Sequence, residues 1–174
     1  KPVDPEFVEL REKWLNNLLG GTLDTGNQAV VTYITGLDEK AGEYWSSMIK
    51  SDDASRTNLW SDLDMSYIAG TGANAKVHSG NVAQTFYRLK DMAIAWATEG
   101  CVLYQNDELK EELIRALDFM NENHYSSSDD KTPFFGNWWH WEIGGPIAFM
   151  DTALILYDDL TLKQITNYAA AVNR

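Results

Sequence analysis

The chain has 174 residues, 44% hydrophobic and 12% aromatic, which suits one domain with a packed core and excludes a disordered segment. Its formal charge of −12 argues against nucleic acid or an anionic membrane as partner, and no apolar run approaches the roughly 18 residues of a membrane span. The single Cys101 allows neither an internal disulfide nor a cysteine zinc cluster. Lys1-Pro2-Val3-Asp4 reads as the start of a mature or trimmed protein.

Asp4-Pro5 is a helix start, with Asp as N-cap and Pro in the first helical position. Phe7, Leu10, Trp14 and Leu18 follow at helical spacing until Gly20-Gly21. Val30, Ile34, Leu37, Ala41, Tyr44 and Met48 predict a second helix. After a loop at Ser51–Ser55, Arg56 to Leu63 reads as a short helix carrying Leu59, Trp60 and Leu63. Tyr67 to Gly80 reads as a polar loop, and Val82, Phe86, Leu89, Ala93 and Trp96 as the next helix, ended by Gly100. Asn106 or Asp107 caps a helix with Leu109, Leu113, Ala116, Leu117 and Met120 on one face. Pro146 starts a helix through Met150, Leu154 and Ile155, and Thr161 with Gln164 has capping-box spacing for a last one. No alternating β-branched run predicts a strand. The expected class is therefore all-α, and helical hairpins at uneven spacing are compatible with an α/α barrel or toroid. The last helix has a start signal and only Asn173 as a weak stop, so the chain is expected to be part of a larger domain.

The chemistry concentrates in Phe134-Phe135-Gly136-Asn137-Trp138-Trp139-His140-Trp141-Glu142-Ile143-Gly144-Gly145-Pro146, which holds three of the seven Trp. Trp is most often core, but its flat face also suits the apolar face of a sugar ring. On a helix, Trp138, Trp139 and Trp141 diverge by roughly 100° per residue, so one buried face cannot hold all three. At least one is expected to line a cleft or an interface. His78, His124 and His140 show no metal-binding spacing, and neither a metal nor a cofactor is expected. Glu142 and Asp151 could form a glycosidase carboxylate pair, which in a chain with 26 acids arises easily by chance. Arg88 has the fork that binds a sugar carboxylate, although an ion pair on a solvated helix face is the simpler reading. Arg56 and Arg115 are the next candidates for that role, and each reads equally well as a surface ion pair worth little.

Asn137-Trp138-Trp139-His140-Trp141-Glu142-Ile143-Gly144-Gly145-Pro146 resembles the Asn-Trp-Trp…(Glu or Gln)-(Ile or Leu)-Gly-x-Pro signature of polysaccharide lyase family 8, which contains hyaluronate, chondroitin AC and xanthan lyases. Ser55-Arg56-Thr57-Asn58-Leu59-Trp60, Phe86–Ala93 and the stretch from Leu109 to Ser126 fall in the family's order, so the resemblance runs from about Phe7 to the end. The Trp-His-Trp continuation and Tyr157-Asp158-Asp159-Leu160 are most similar to the xanthan lyases, and Ile147 stands where hyaluronate lyases tend to carry Arg.

The resemblance implies that residues 1–174 are the N-terminal part of an α/α-toroid domain, with the rest of the toroid and the β domains absent. It implies a secreted bacterial enzyme that cleaves a uronate-containing, anionic polysaccharide by β-elimination. Its catalytic Asn, His and Tyr would lie downstream, so no catalytic residue is expected in this chain and the chain alone is expected to be inactive. By position, Asn137, Trp138 and Trp139 match the family's cleft amide and aromatic patch, and Arg88 a substrate-contacting arginine. The partners implied are the anionic polysaccharide and the rest of the enzyme. A non-catalytic carbohydrate-binding module, or a helical interaction domain with every Trp in the core, are the alternatives.

Overall fold

The computed structural model describes residues 4–174; the chain start at Lys1-Pro2-Val3 lies outside the described residues. Among the described residues six α-helices run in chain order: α1 (Pro5–Leu19), α2 (Gln28–Ser47), α3 (Ala73–Ala97), α4 (Asp107–Asn123), α5 (Gly145–Ile155) and α6 (Leu162–Val172). A π-helical turn, His140–Gly144, runs directly into α5, and no strand occurs among the described residues.

Local signals set most boundaries. The Asp4 carboxylate accepts the Glu6 N–H at 3.0 Å, Asn27 caps α2 and Asn106 caps α4. Gly20, at φ 79°, closes α1 in the left-handed conformation that costs glycine least. Thr161 and Gln164 form a reciprocal capping box on α6, which ends at Asn173.

The core is built around α3 and α5. Val82, Phe86, Leu89, Met92 and Ala93 of α3 are buried against Ala148, Phe149 and Ala153 of α5, with Phe86 stacked on Phe149 at 5.0 Å. Each such large side chain contributes about 1.5–3 kcal/mol on burial. Ile34, Leu37 and Ala41 of α2, and Leu109, Leu113, Ala116, Leu117 and Met120 of α4, complete the core along the faces their spacing predicts.

Three expectations need correction. The glycine-rich stretch before Val82 is not all loop, because α3 begins at Ala73. Ala73, Ala75 and Lys76 are good helix formers, and Gly80 stays helical where its missing Cβ makes room for the His140 ring. Arg56–Leu63 is not a helix but a series of turns. Leu59, Trp60 and Leu63 are buried all the same, because distant partners hold the backbone: Ile49 N–H bonds Leu59 C=O, the Asn58 side chain accepts Met65 N–H, and Trp60 Nε1–H donates to Tyr44 C=O at 3.0 Å. The helix α1 is only partly buried: Leu15, Leu18 and Leu19 pack against the core, whereas Leu10 and Trp14 are 59% and 51% exposed. Polar contacts attach α1 as well, through Trp14 Nε1–H to Asp151 at 2.8 Å and Arg11 to the Leu154 carbonyl and Asp158.

Last, Arg56 is no surface residue. Its guanidinium meets Glu112 at 2.8 Å, with the two side chains 8% and 5% exposed. It also donates to Ile49 C=O and lies over the Phe119 ring, while Ser51 donates to the other Glu112 oxygen. A buried pair with its remaining valences filled differs in kind from a solvated one. Arg115, paired with Glu111 one helical turn away at 2.8 Å and half exposed, fits the surface-pair reading.

Candidate functional site

The aromatic stretch is anchored from below by α3. Gly136 has φ 69° and presses so closely on α3 that a Cβ there would overlap the Ala75 carbonyl and the Ser79 hydroxyl. Its N–H bonds Gly70 C=O at 2.8 Å, and the next N–H, of Asn137, donates to Ser79 Oγ at 3.1 Å. Asn137 Oδ1 then accepts the Trp139 N–H at 3.1 Å, capping the turn that starts there. This leaves Asn137 Nδ2 without a partner among the described residues.

The three Trp divide as their angular spacing requires. Trp141 is 2% exposed, donates Nε1–H to Phe135 C=O at 2.6 Å, and stacks on Phe134 at 4.8 Å and 16°. Tyr125 lies parallel to it and donates its hydroxyl to Trp141 C=O at 2.9 Å; burial pushes that phenol up to about 12. Trp138 and Trp139 are 61% and 41% exposed, beside Asn137.

The π turn follows from Pro146. In this register Gly145 N–H reaches back to His140 C=O, and a Cβ at Gly145 would crowd that oxygen at 2.6 Å. Pro146 has no N–H to give to Trp141 C=O, and the Tyr125 hydroxyl takes that place. Such single π turns cost regular hydrogen bonding and occur often at functional sites. Here the turn lays the Trp139 ring against Gly144, next to the Tyr87 hydroxyl of α3.

His140 sits between these parts. Its Nδ1 is 2.9 Å from Ser79 Oγ, its ring lies over Gly80, and burial lowers its pKa. The structure thus brings Asn137, Trp138 and Trp139 together and adds Ser79, Tyr87 and His140, which residue counting along the chain did not select. Asn137 and His140 are joined by a backbone bond, His140 N–H to Asn137 C=O at 3.1 Å, and a second time through the side chain of Ser79, a position 58 residues from Asn137.

Arg88 follows Tyr87 on α3, but its contacts lie elsewhere. Both arms of its fork bond Asp62, at 2.9 and 2.5 Å, and its guanidinium lies 5.0 and 5.2 Å from the Tyr44 and Trp60 ring centroids. The Arg88 hydrogen bonds hold the Asp62 carboxyl below its usual range. Glu142 and Asp151 do not form a catalytic pair: Glu142 is exposed, whereas Asp151 is buried and engaged by Trp14 and, at 3.7 Å, Lys90. Among the described residues no group of three His, Cys, Asp or Glu side chains could hold a metal ion, and no helix is long and apolar enough to cross a membrane.

Residues 14–174 match the polysaccharide lyase family 8, N-terminal alpha-helical domain. The chain is 36% identical over 169 residues to a xanthan lyase of Bacillus sp. (strain GL1), covering 97% of this chain and 17% of that protein. It is 32% identical over 169 residues to a hyaluronate lyase of Enterococcus faecalis, covering 97% of this chain and 15% of that one. Among solved structures, the chondroitin AC lyase of Streptomyces coelicolor in complex with chondroitin sulphate superposes with a TM-score of 0.77 at 26% identity, covering 98% of this chain and 20% of that one. The chain therefore spans less than a fifth of the length of the two curated relatives. Its all-α fold is that of part of the helical toroid of such enzymes.

Proposed function

The chain belongs to polysaccharide lyase family 8, and on that premise we propose that residues 1–174 form the N-terminal part of the toroid of a secreted bacterial lyase and supply its aromatic substrate platform. The enzyme would cleave a uronate-containing polysaccharide by β-elimination, on the xanthan side-chain type first, with hyaluronan or chondroitin next. The observation that carries this reading is the division of the Trp run. Trp138 and Trp139 are exposed, Trp141 is buried, and the Asn137 Nδ2 beside the exposed pair has no partner among the described residues. Exposed indoles stack on sugar faces, and an amide donor beside them selects an oxygen on the ring.

Arg88 is the cation of this reading. A substrate carboxylate would share or exchange its fork with Asp62, which is itself more than half exposed. The bond-breaking groups would come from the remainder of the protein. The test is to join this chain to that remainder and follow the ultraviolet absorbance of the unsaturated uronate on xanthan, hyaluronan and chondroitin. Product accumulation, fastest on xanthan, supports the proposal. Binding without product would favour a carbohydrate-binding module, and neither would leave a helical interaction domain.

A further inference from the structure

We propose that His140 is a specificity-determining residue of the platform, held by the buried Ser79 hydroxyl as the Nδ1–H tautomer so that its Nε2 lone pair accepts a hydroxyl of the sugar stacked on Trp138 and Trp139. The inference rests on the platform reading above and adds to it a residue and a hydrogen-bond polarity.

The argument is a count of protons at Ser79. Its side chain is fully buried, and its oxygen has three polar neighbours: the Asn137 N–H at 3.1 Å, the Lys76 carbonyl at 3.1 Å and His140 Nδ1 at 2.9 Å. The Asn137 N–H can only donate and the Lys76 carbonyl can only accept. A hydroxyl has one proton and two lone pairs. If the proton goes to Lys76 C=O, one lone pair takes Asn137 N–H and the other remains for a donor, which must be Nδ1–H of His140. All three contacts are then made at once; with the hydroxyl proton aimed at His140 Nδ1 instead, the Lys76 carbonyl would keep its helical N–H but the Ser79 and Lys76 oxygens, 3.1 Å apart, would face each other lone pair to lone pair. In a neutral imidazole with Nδ1 protonated, Nε2 is an acceptor. Burial favours that neutral form.

The ring is fixed as well as its proton. A Cβ at Gly80 would stand 3.3 Å from His140 Cε1, so the ring rests directly on the α3 backbone. It meets Trp139 edge-on, at 6.0 Å and 82°. Since Nδ1 turns inward to the buried serine, the exposed edge of this half-buried ring is the one bearing Nε2, and Nε2 has no partner among the described residues. The platform then carries a donor, Asn137 Nδ2, and an acceptor, His140 Nε2, close to Trp139. A lone pair repels a carboxylate and accepts from a hydroxyl, so His140 would dictate which edge of the sugar faces it.

Two measurements on the whole chain test this. In long-range proton–nitrogen NMR of the histidine-labelled protein, His140 should show a protonated Nδ1 and a bare Nε2, and Ser79→Ala should move it towards a mixture. In a tryptophan-fluorescence titration with a xanthan oligosaccharide, His140→Asn keeps a donor for Ser79 but lacks the Nε2 acceptor, and should bind about tenfold more weakly. His140→Gln, which restores a polar group at that reach, should recover part of the loss. A bare Nδ1 in the native protein would overturn the proposal. So would wild-type affinity in His140→Asn when Trp138→Ala binds weakly, which leaves the platform reading standing. If the native chain binds no oligosaccharide, or Trp138→Ala binds as the native chain does, the platform reading falls and this proposal with it.

Discussion

The ring of Trp139 rests on the backbone of Gly144, so that a Cβ at Gly144 would stand 2.8 Å from Cη2 and overlap both Cζ3 and the Tyr87 hydroxyl. Gly144 has an ordinary helical φ of −65°, so alanine is sterically allowed by the backbone, and what must move is the Trp139 ring and the terminal hydroxyl of Tyr87. Trp139 is 41% exposed and can swing outward. Gly144→Ala should therefore change stability by no more than about 1 kcal/mol while weakening oligosaccharide binding about as much as Trp139→Ala. Thermal melts and fluorescence titration on the same variants check this.

Arg88 separates from its partner by a paired substitution. Arg88→Ala should weaken uronate binding by roughly 1.5–3 kcal/mol, the scale of a charge-assisted hydrogen bond, and Arg88→Lys should recover part of it. Asp62→Ala removes the 2.5 Å ion pair but leaves the guanidinium over Tyr44 and Trp60. Binding should then hold or improve. Equal loss in Arg88→Ala and Asp62→Ala would make the arginine a structural ion-pair partner only.

The Arg56–Glu112 pair should dominate the charge contribution to stability. Glu112→Gln leaves a guanidinium that is 8% exposed without its counter-charge, which costs about 3–5 kcal/mol. Arg115→Ala, which removes the half-exposed pair with Glu111, should cost less than about 1 kcal/mol. Chemical denaturation of the two variants gives both values.

Acid should destabilise the chain before its carboxylates titrate. Burial lowers the pKa of His124 and of His140 below the ordinary 6.5. A depressed histidine contributes stability that is present above the unfolded value and lost as pH falls through the folded one. The melting temperature should accordingly fall below about pH 6.5, and His124→Gln should flatten that fall. Asp62, held low by Arg88, has the same sign, with its loss confined to pH below the ordinary 3.8 of an aspartate. A melting temperature that stays level from neutral pH down to the carboxylate range would contradict the burial of both rings.

Much of the fold was legible because its signals are local. Asp4, Asn27, Asn106 and Thr161 cap helices from within two or three residues, and the faces of α2 and α4 follow from spacing alone. The first misread region failed for a long-range reason: Gly80 looks like a loop residue until His140, 60 positions later, packs on it. Leu59, Trp60 and Leu63 are spaced like a helix but held by Tyr44, Asn58 and Ile49. The candidate site divides in the same way. The separation of Trp138, Trp139 and Trp141 follows from helical geometry, whereas Ser79 and Tyr87 join the site only when α3 packs beneath the aromatic run. No spacing rule pairs Arg56 with Glu112, which lie 56 residues apart.

The most direct test is the affinity of the chain for a xanthan oligosaccharide, measured by tryptophan fluorescence beside the melting temperature, in the native chain, Trp138→Ala and Trp141→Ala. Trp138 is 61% exposed and Trp141 2%. The platform account predicts that Trp138→Ala loses most of the binding with its melting temperature nearly unchanged, and that Trp141→Ala loses about 3–5 kcal/mol of stability. Binding in Trp138→Ala equal to that of the native chain, or a native chain that binds no oligosaccharide, would contradict it.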